Sequence, residues 1–245
     1  STEEDALKPG APRVHPGGNQ VSKPQVTGRG SVEAGFRQAD AVVELTFRTS
    51  CELHTTTEPH GSVARWDGTH LTIWDSTQGV FWIQAGVAEA LKMPLASVRV
   101  IGHYVGGGFG GKSDVFSHEI VAAKLALDTQ RPVKIVCSRE EVFYLHRGRH
   151  PVLMKIRTGF TKDGRITAMH FRSVLDGGAY GSYGVASTYY TGVLQPTTYR
   201  IPAYKFEGVR VFTNKPPCGP KRGHGTPQPR FALEAHLDKA AAGGV

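Results

Sequence analysis

Cysteine is scarce: three in 245 residues, Cys51, Cys137 and Cys218, with no CxxC pair. Thiols so few and so far apart exclude a disulfide framework, an iron–sulfur cluster or a structural zinc site built within this chain. A reducing compartment follows as the expectation, and the cytoplasm is the expected location. No apolar run approaches the ~20 residues of a membrane span, so no membrane partner is expected. The opening STEEDALKPG is acidic where a secretory signal would be apolar. A concentrated basic stripe is also missing. The net charge is +8, but the basic residues sit in short groups, such as Arg147 with Arg149 or Lys221 with Arg222, without interleaved aromatics, so nucleic acid is not an expected partner. A hydrophobic content of 39% with 20% charged residues excludes disorder.

Glycine is in excess. There are 30, about 12% against a usual ~7%, and they gather at Gly106–Gly111 and Gly219–Gly225. Residues 1–30, rich in Pro and Gly, read as an extended linker that wraps a neighbour or joins an upstream domain. From residue 31 periodic segments begin. A short helix covers 32–36, and Ala41–Thr49 alternates as a strand. Ser62–Trp66 and Leu71–Trp74 flank Asp67-Gly68 as a hairpin. Phe81–Met93 reads as an amphipathic helix, Val98–Tyr104 as a strand running into the glycines, Ser117–Leu127 as an apolar helix and Val133–Cys137 as a short buried strand. Leu153–Phe160 and Ile166–Leu175 form a second hairpin, Phe206–Asn214 a strand and Arg230–Ala242 a helix, after an irregular Pro216–Pro229. The expected class is α+β, mixed sheets with packed helices.

The loop Gly106–Ser113, GGGFGGKS, fits GxxxxGK[ST] and also GxGxxG. A strand before it and a helix after it suit both patterns, and glycine-rich backbone can cradle an anion. Each pattern lacks its companion. Val133–Cys137 runs into Ser138-Arg139 where the companion strand of a phosphate loop would end in a Mg²⁺-binding Asp, no other strand is a clean match, and the only acidic residue at the dinucleotide spacing is Asp128, on a helix end. Phe109 between two glycine runs suggests a loop that also presents a side chain. A phosphate-loop nucleotide-binding module stays open as an alternative, as does a purely structural glycine turn.

Three ordered segments together resemble the molybdopterin-binding large subunit of the xanthine dehydrogenase/aldehyde oxidase family. They are Glu58-Pro-His-Gly61 with Ser76-Thr-Gln-Gly79, then Val105-GGGFGG-Lys112, then Lys221-Arg-Gly-His-Gly-Thr-Pro-Gln228. The flanks of His224 are most similar to bacterial hydroxylases of aromatic, heterocyclic or acyl-CoA substrates, of the 4-hydroxybenzoyl-CoA reductase type. The resemblance implies a molybdopterin-type molybdenum cofactor, in plain or cytosine dinucleotide form, with 2Fe-2S and FAD on partner subunits or domains. It implies hydroxylation or dehydrogenation of a small aromatic, N-heterocyclic, aldehyde or acyl-CoA substrate with water as the oxygen source, in an oligomer. Gln78, Gly107, Gly108, Phe109, Gly110, Arg222 and Gly223 are the implied cofactor-binding residues. Gln78, Phe109 and Arg222 would lie near the molybdenum without ligating it through their side chains. His60 is expected to be a structural hydrogen-bonding residue.

Ser113, Tyr190 and His224 are the implied substrate-facing positions. Purine hydroxylases carry Glu, Arg and Phe there. Loss of the Glu/Arg pair removes the charged hydrogen bonds that read a purine edge, so xanthine is not the expected substrate. The family's general-base Glu belongs to a motif late in the full subunit, and no Glu of this chain matches it. The chain is therefore expected to be the first molybdopterin-binding region, residues 31–245, of a larger subunit. It would be inactive by itself, and the remainder of that subunit would be a partner. A non-catalytic fragment that retains the fold is the other alternative.

Overall fold

The structure, a computed structural model, describes residues 2–145 and 147–244. In chain order its elements are β1 (Gln25–Arg29), α1 (Val32–Arg37), β2 (Ala41–Thr49), β3 (Gly61–Trp66), β4 (Leu71–Asp75), α2 (Val80–Leu91), β5 (Val98–Ile101), α3 (Ser117–Thr129), β6 (Val133–Val136), α4 (Arg139–Leu145), β7 (Val152–Phe160), β8 (Ile166–Asp176), α5 (Gly184–Val193), β9 (Ala203–Val211) and α6 (Pro227–Ala242). They form two compact units: a discontinuous one, Ser1–Glu52 with Gly148–Val245, and an inserted one, Leu53–Arg147.

The discontinuous unit is built on a five-stranded sheet of order β1-β9-β8-β7-β2. β7 and β8 pair as the expected antiparallel hairpin. β8 and β9 are parallel, so the chain must cross over between them, and α5 supplies part of that crossover. A Cβ at Gly192 of α5 would stand 1.9 Å from the Phe206 ring of β9, so the helix lies directly on the strand. Met154, Ile156, Phe171 and Phe206 form the core beneath α6 with Ala232 and Leu233. α6 begins at Pro227, earlier than the sequence pattern suggests, because proline at the first turn loses no helical hydrogen bond.

Part of the 1–30 segment is ordered against the sheet. Gln25–Arg29 pair antiparallel with β9 as the edge strand of the sheet, and Gln20 bridges to Val211. Asn19, buried, accepts from Val14 N–H and donates to the carbonyls of Ala6 and Pro12. The boundary expected at residue 31 therefore falls inside one compact unit.

The inserted unit carries a four-stranded sheet of order β5-β4-β3-β6. β3 and β4 form the Asp67-Gly68 hairpin, while β4 and β5 are parallel with α2 between them. Ile83 and Val87 of α2 and Ala122, Ala123 and Ala126 of α3 pack on Leu71 and Ile73. The alanines let α3 approach the strands closely. β6 is an edge strand that alternates in exposure, rather than a buried one, and Val136 is 53% exposed. β5 stops at Ile101, so residues 102–104 leave the sheet before the glycine loop.

Candidate functional site

β4 ends at Asp75, and Ser76–Gly79 turn the chain into α2. The glycine loop lies against this turn. Gln78 N–H donates to Lys112 O at 2.8 Å, and Thr77 Oγ1 donates to the same carbonyl at 3.2 Å. Gln78 Oε1 accepts from Gly110 N–H at 2.9 Å and Lys112 N–H at 3.3 Å. Two backbone donors on one carboxamide oxygen fix which way the amide points. Its NH₂ is the end turned away from the loop, on an exposed side chain.

The loop needs its glycines. A Cβ at Gly108 would stand 2.2 Å from Gln78 Oε1, and one at Gly106 would stand 2.6 Å from Glu58 Cβ. Gly107 and Gly110 have φ of +99° and +97°, a region that side chains disfavour. Phe109 itself sits at φ +52° with its side chain half exposed. A non-glycine residue there costs about 1 kcal/mol, so the turn holds Phe109 in a left-handed conformation and presents its ring.

Lys112 rules out the phosphate-loop reading. It is 1% exposed, and its Nζ donates to Glu58 Oε2 at 2.7 Å and to Ser76 Oγ at 2.6 Å. Glu58 Oε2 also accepts Gly106 N–H at 2.7 Å. The ammonium ties the two ends of the loop to Glu58 and is not available to a phosphate. In the sequence Glu58 stands out only as part of a motif; its spacing to Lys112 carries no signal of this ion pair. His60 is structural, as expected: buried, with its Nε2 3.0 Å from Gly111 O. Its pKa is lowered chiefly by desolvation, so it is neutral at pH 7. Ser113, beside Lys112, is partly exposed.

Arg222, Gly223, His224 and Tyr190 belong to the discontinuous unit. The 219–226 loop runs against α5. Gly225, at φ +66°, would place a Cβ 2.1 Å from Ser187 O, and Thr191 Oγ1 donates to Gly225 O at 3.0 Å. Arg149, which is 8% exposed, donates to Arg222 O at 2.6 Å and to Glu52 Oε2 at 3.0 Å. It therefore grips the backbone of Arg222 and leaves the exposed guanidinium of Arg222 directed elsewhere. The His224 ring packs on Tyr183 with centroids 4.8 Å apart. Desolvation first, then the positive charge of Arg149, lowers the His224 pKa, so this ring is neutral at pH 7. Tyr190, on α5, is partly exposed and packs edgewise on Tyr189. Tyr183 and Arg149 carry no site signal in the sequence, because nothing in the local pattern announces α5 and Arg149 acts through another residue's carbonyl.

Comparison with known proteins identifies the family. The molybdopterin cofactor-binding domain family matches residues 14–243. The chain is 37% identical to the nicotinate dehydrogenase large molybdopterin subunit of Eubacterium barkeri, over 98% of this chain and 56% of that protein. It is 34% identical to the molybdenum-binding subunit PaoC of the Escherichia coli aldehyde oxidoreductase, over 86% of this chain and 28% of that protein. Among solved structures, quinoline 2-oxidoreductase from Pseudomonas putida 86 superposes with a TM-score of 0.87 at 29% identity, covering 98% of this chain and 31% of that one. Aldehyde oxidoreductase from Desulfovibrio gigas superposes with a TM-score of 0.84 at 26% identity, covering 97% and 26%. The chain thus spans from about a quarter to just over half of the length of these relatives. With the family matched over nearly all its length and the glycine loop and Gln78 folded together, the chain belongs to the molybdopterin cofactor-binding domain family, as part of a xanthine dehydrogenase/aldehyde oxidoreductase-type large subunit.

Proposed function

We propose that this chain supplies part of the cofactor and substrate walls of a molybdenum-dependent hydroxylase or dehydrogenase. Its substrate would be an aromatic, N-heterocyclic, aldehyde or acyl-CoA compound. The observation that carries the reading is the orientation of Gln78: its carboxamide oxygen is held by Gly110 and Lys112 N–H, which leaves the NH₂ to face outward. An outward amide donor suits an oxygen-rich anionic group and adds no charge. The glycine cradle, where a Cβ at Gly108 would collide with Gln78, keeps the loop low enough for such a group to approach the backbone of Gly107–Gly110. The loop itself carries no Cys or His to serve as a ligand, which fits a metal carried by its own pterin.

When bound, the cofactor supplies two-electron oxidation chemistry, with electrons passing to 2Fe-2S and FAD partners. This chain's residues bind and orient. Gln78 would donate a hydrogen bond to the bound cofactor and Phe109 would shield it with a ring held in place by the turn; by the family resemblance, Arg222 with Gly223 would offer fixed positive charge beside open backbone. His224, packed at a tilt against Tyr183 with its pKa lowered by desolvation, and Tyr190 would present aromatic and hydrogen-bonding surface to a substrate. Ser113 is small and neutral. That set favours a flat aromatic or acyl substrate over a purine. Proton removal falls to a group beyond this chain.

The test is assembly. The chain is produced joined to, or together with, the segment that completes its large subunit, and bound molybdenum and pterin are measured in the assembly. The reading expects about one molybdenum per assembly, falling at least tenfold in Gln78→Ala with the fold intact by circular dichroism. Full molybdenum content in Gln78→Ala would overturn it.

A further inference from the structure

Beneath the glycine loop the inserted unit buries a second cluster, and it does not belong to the site above. Asp75 at the end of β4 and His118 and Glu119 in the first turn of α3 are 7%, 7% and 2% exposed. Their ligand atoms lie within 4.8 Å of one another.

The cluster keeps donor atoms uncommitted. Ser62 Oγ hydrogen-bonds Asp75 Oδ1, but Asp75 Oδ2 is buried and has no hydrogen-bond partner. Phe116 N–H donates to Glu119 Oε2 at 2.5 Å, while Glu119 Oε1 is 3.7 Å from His118 Nε2. The nearby cations are engaged elsewhere: Lys112 pairs with Glu58 at 2.7 Å and Arg147 with Asp114 at 2.7 Å. Two buried carboxyl groups and an imidazole therefore converge, with one carboxyl oxygen of Asp75 left without a partner. An unsatisfied buried carboxylate oxygen is costly.

We propose that Asp75, His118 and Glu119 form a binding site for a first-row divalent transition ion of the zinc class. Two carboxylate oxygens and one imidazole nitrogen are a donor set for such ions, and the nitrogen disfavours magnesium or calcium. Ligand atoms about 2.1 Å from a tetrahedral ion stand roughly 3.4 Å apart, so side-chain movements of about 1 Å close the site. A small cavity lined by His60, Phe116, His118, Cys137 and Val142 borders the imidazole.

The ion has a mechanical consequence. Asp75 precedes Gln78 by three residues, and Glu119 follows Lys112 by seven. One bound ion would join the strand that delivers Gln78 to the helix that leaves the glycine loop. The site stands whether or not the loop above it holds a molybdopterin.

The experiment uses the full chain without an affinity tag, stripped of metal by chelation, then titrated with Zn²⁺ and, separately, Co²⁺. The proposal expects one equivalent bound per chain, a visible Co²⁺ absorption band, and a rise in melting temperature on adding Zn²⁺. Asp75→Asn and Glu119→Gln, which keep side-chain shape and remove an anionic ligand oxygen, should each weaken binding at least tenfold. Cys137→Ser should bind as the parent does. Failure of the chain to take up either ion at millimolar concentration would overturn the proposal, as a proton shared within the cluster would then suffice. Uptake undiminished in both Asp75→Asn and Glu119→Gln, or abolished by Cys137→Ser, would overturn it as well.

Discussion

The side-chain oxygen of Gln78 accepts the backbone N–H of Gly110 at 2.9 Å, across 32 residues of sequence. This bond sets the direction of the amide. A carboxylate at position 78 would accept the same two N–H groups but would present no donor on its other side. Gln78→Glu should therefore fold with an unchanged melting temperature within about 2 °C, yet lose at least tenfold in molybdenum content of the assembled subunit. Metal analysis and thermal unfolding on the same preparations separate the two effects.

Gly108→Ala tests the same contact from the loop side. Its Cβ would stand 2.2 Å from Gln78 Oε1, so either the loop or the carboxamide must shift. Core overpacking of this kind costs about 1–3 kcal/mol. We expect a lower urea midpoint and loss of molybdenum uptake together. Crystallographic or NMR comparison should show the Gln78 side chain displaced.

Lys112→Met removes the buried ammonium but keeps its apolar stem. Glu58 then retains Gly106 N–H and Ser76 Oγ without a cation. Loss of one partner of a largely buried pair should destabilise the chain by about 2 kcal/mol, read from urea unfolding. ATP with Mg²⁺ should leave the melting temperature of the parent chain unchanged, because Lys112 is held by Glu58; a rise of several degrees would restore the phosphate-loop reading.

His236, on α6, is fully buried, and neither ring nitrogen has a hydrogen-bond partner. Desolvation lowers its pKa from 6.5 to about 4. The unfolded chain therefore binds a proton between pH 6.5 and 4 that the folded chain does not. Proton linkage at this group costs nothing above pH 6.5, destabilises progressively as the pH falls toward 4, and adds no further loss below that, for a total of about 3 kcal/mol. His150 acts with the same sign, its pKa lowered to about 3 by burial and then by Arg210. His236→Leu should raise stability by about 1 kcal/mol at pH 7 and flatten the acid limb by one proton. Urea unfolding at pH 7, 6, 5 and 4 gives both numbers; an unchanged slope would show that the ring is solvated.

Much of the site is legible in the sequence because it depends on backbone. Only glycine tolerates the φ of +99° at Gly107 and the close approach at Gly108, so the loop announces itself in composition. The hairpins at Asp67-Gly68 and Gly164 and the helix before Gln130 follow from local turn chemistry and periodicity in the same way. β1 does not, because a polar edge strand with little alternation is set by its partner β9 and not by its own residues. α5 is hidden for a related reason: its glycines and β-branched residues are poor helix formers, and the Phe206 ring and the carbonyl network beneath it hold it in place.

The sequence by itself determined the family, the two glycine loops and the identity of the polar residues on them, since each rests on residue type and order. Only the tertiary structure decided what those residues do to one another. It pointed the Gln78 amide outward, took Lys112 out of any phosphate site and into Glu58, and gathered Asp75, His118 and Glu119 under the loop. Hydrogen-bond direction and ion pairing depend on atoms brought within about 3 Å from distant parts of the chain, and residue spacing carries no measure of that distance.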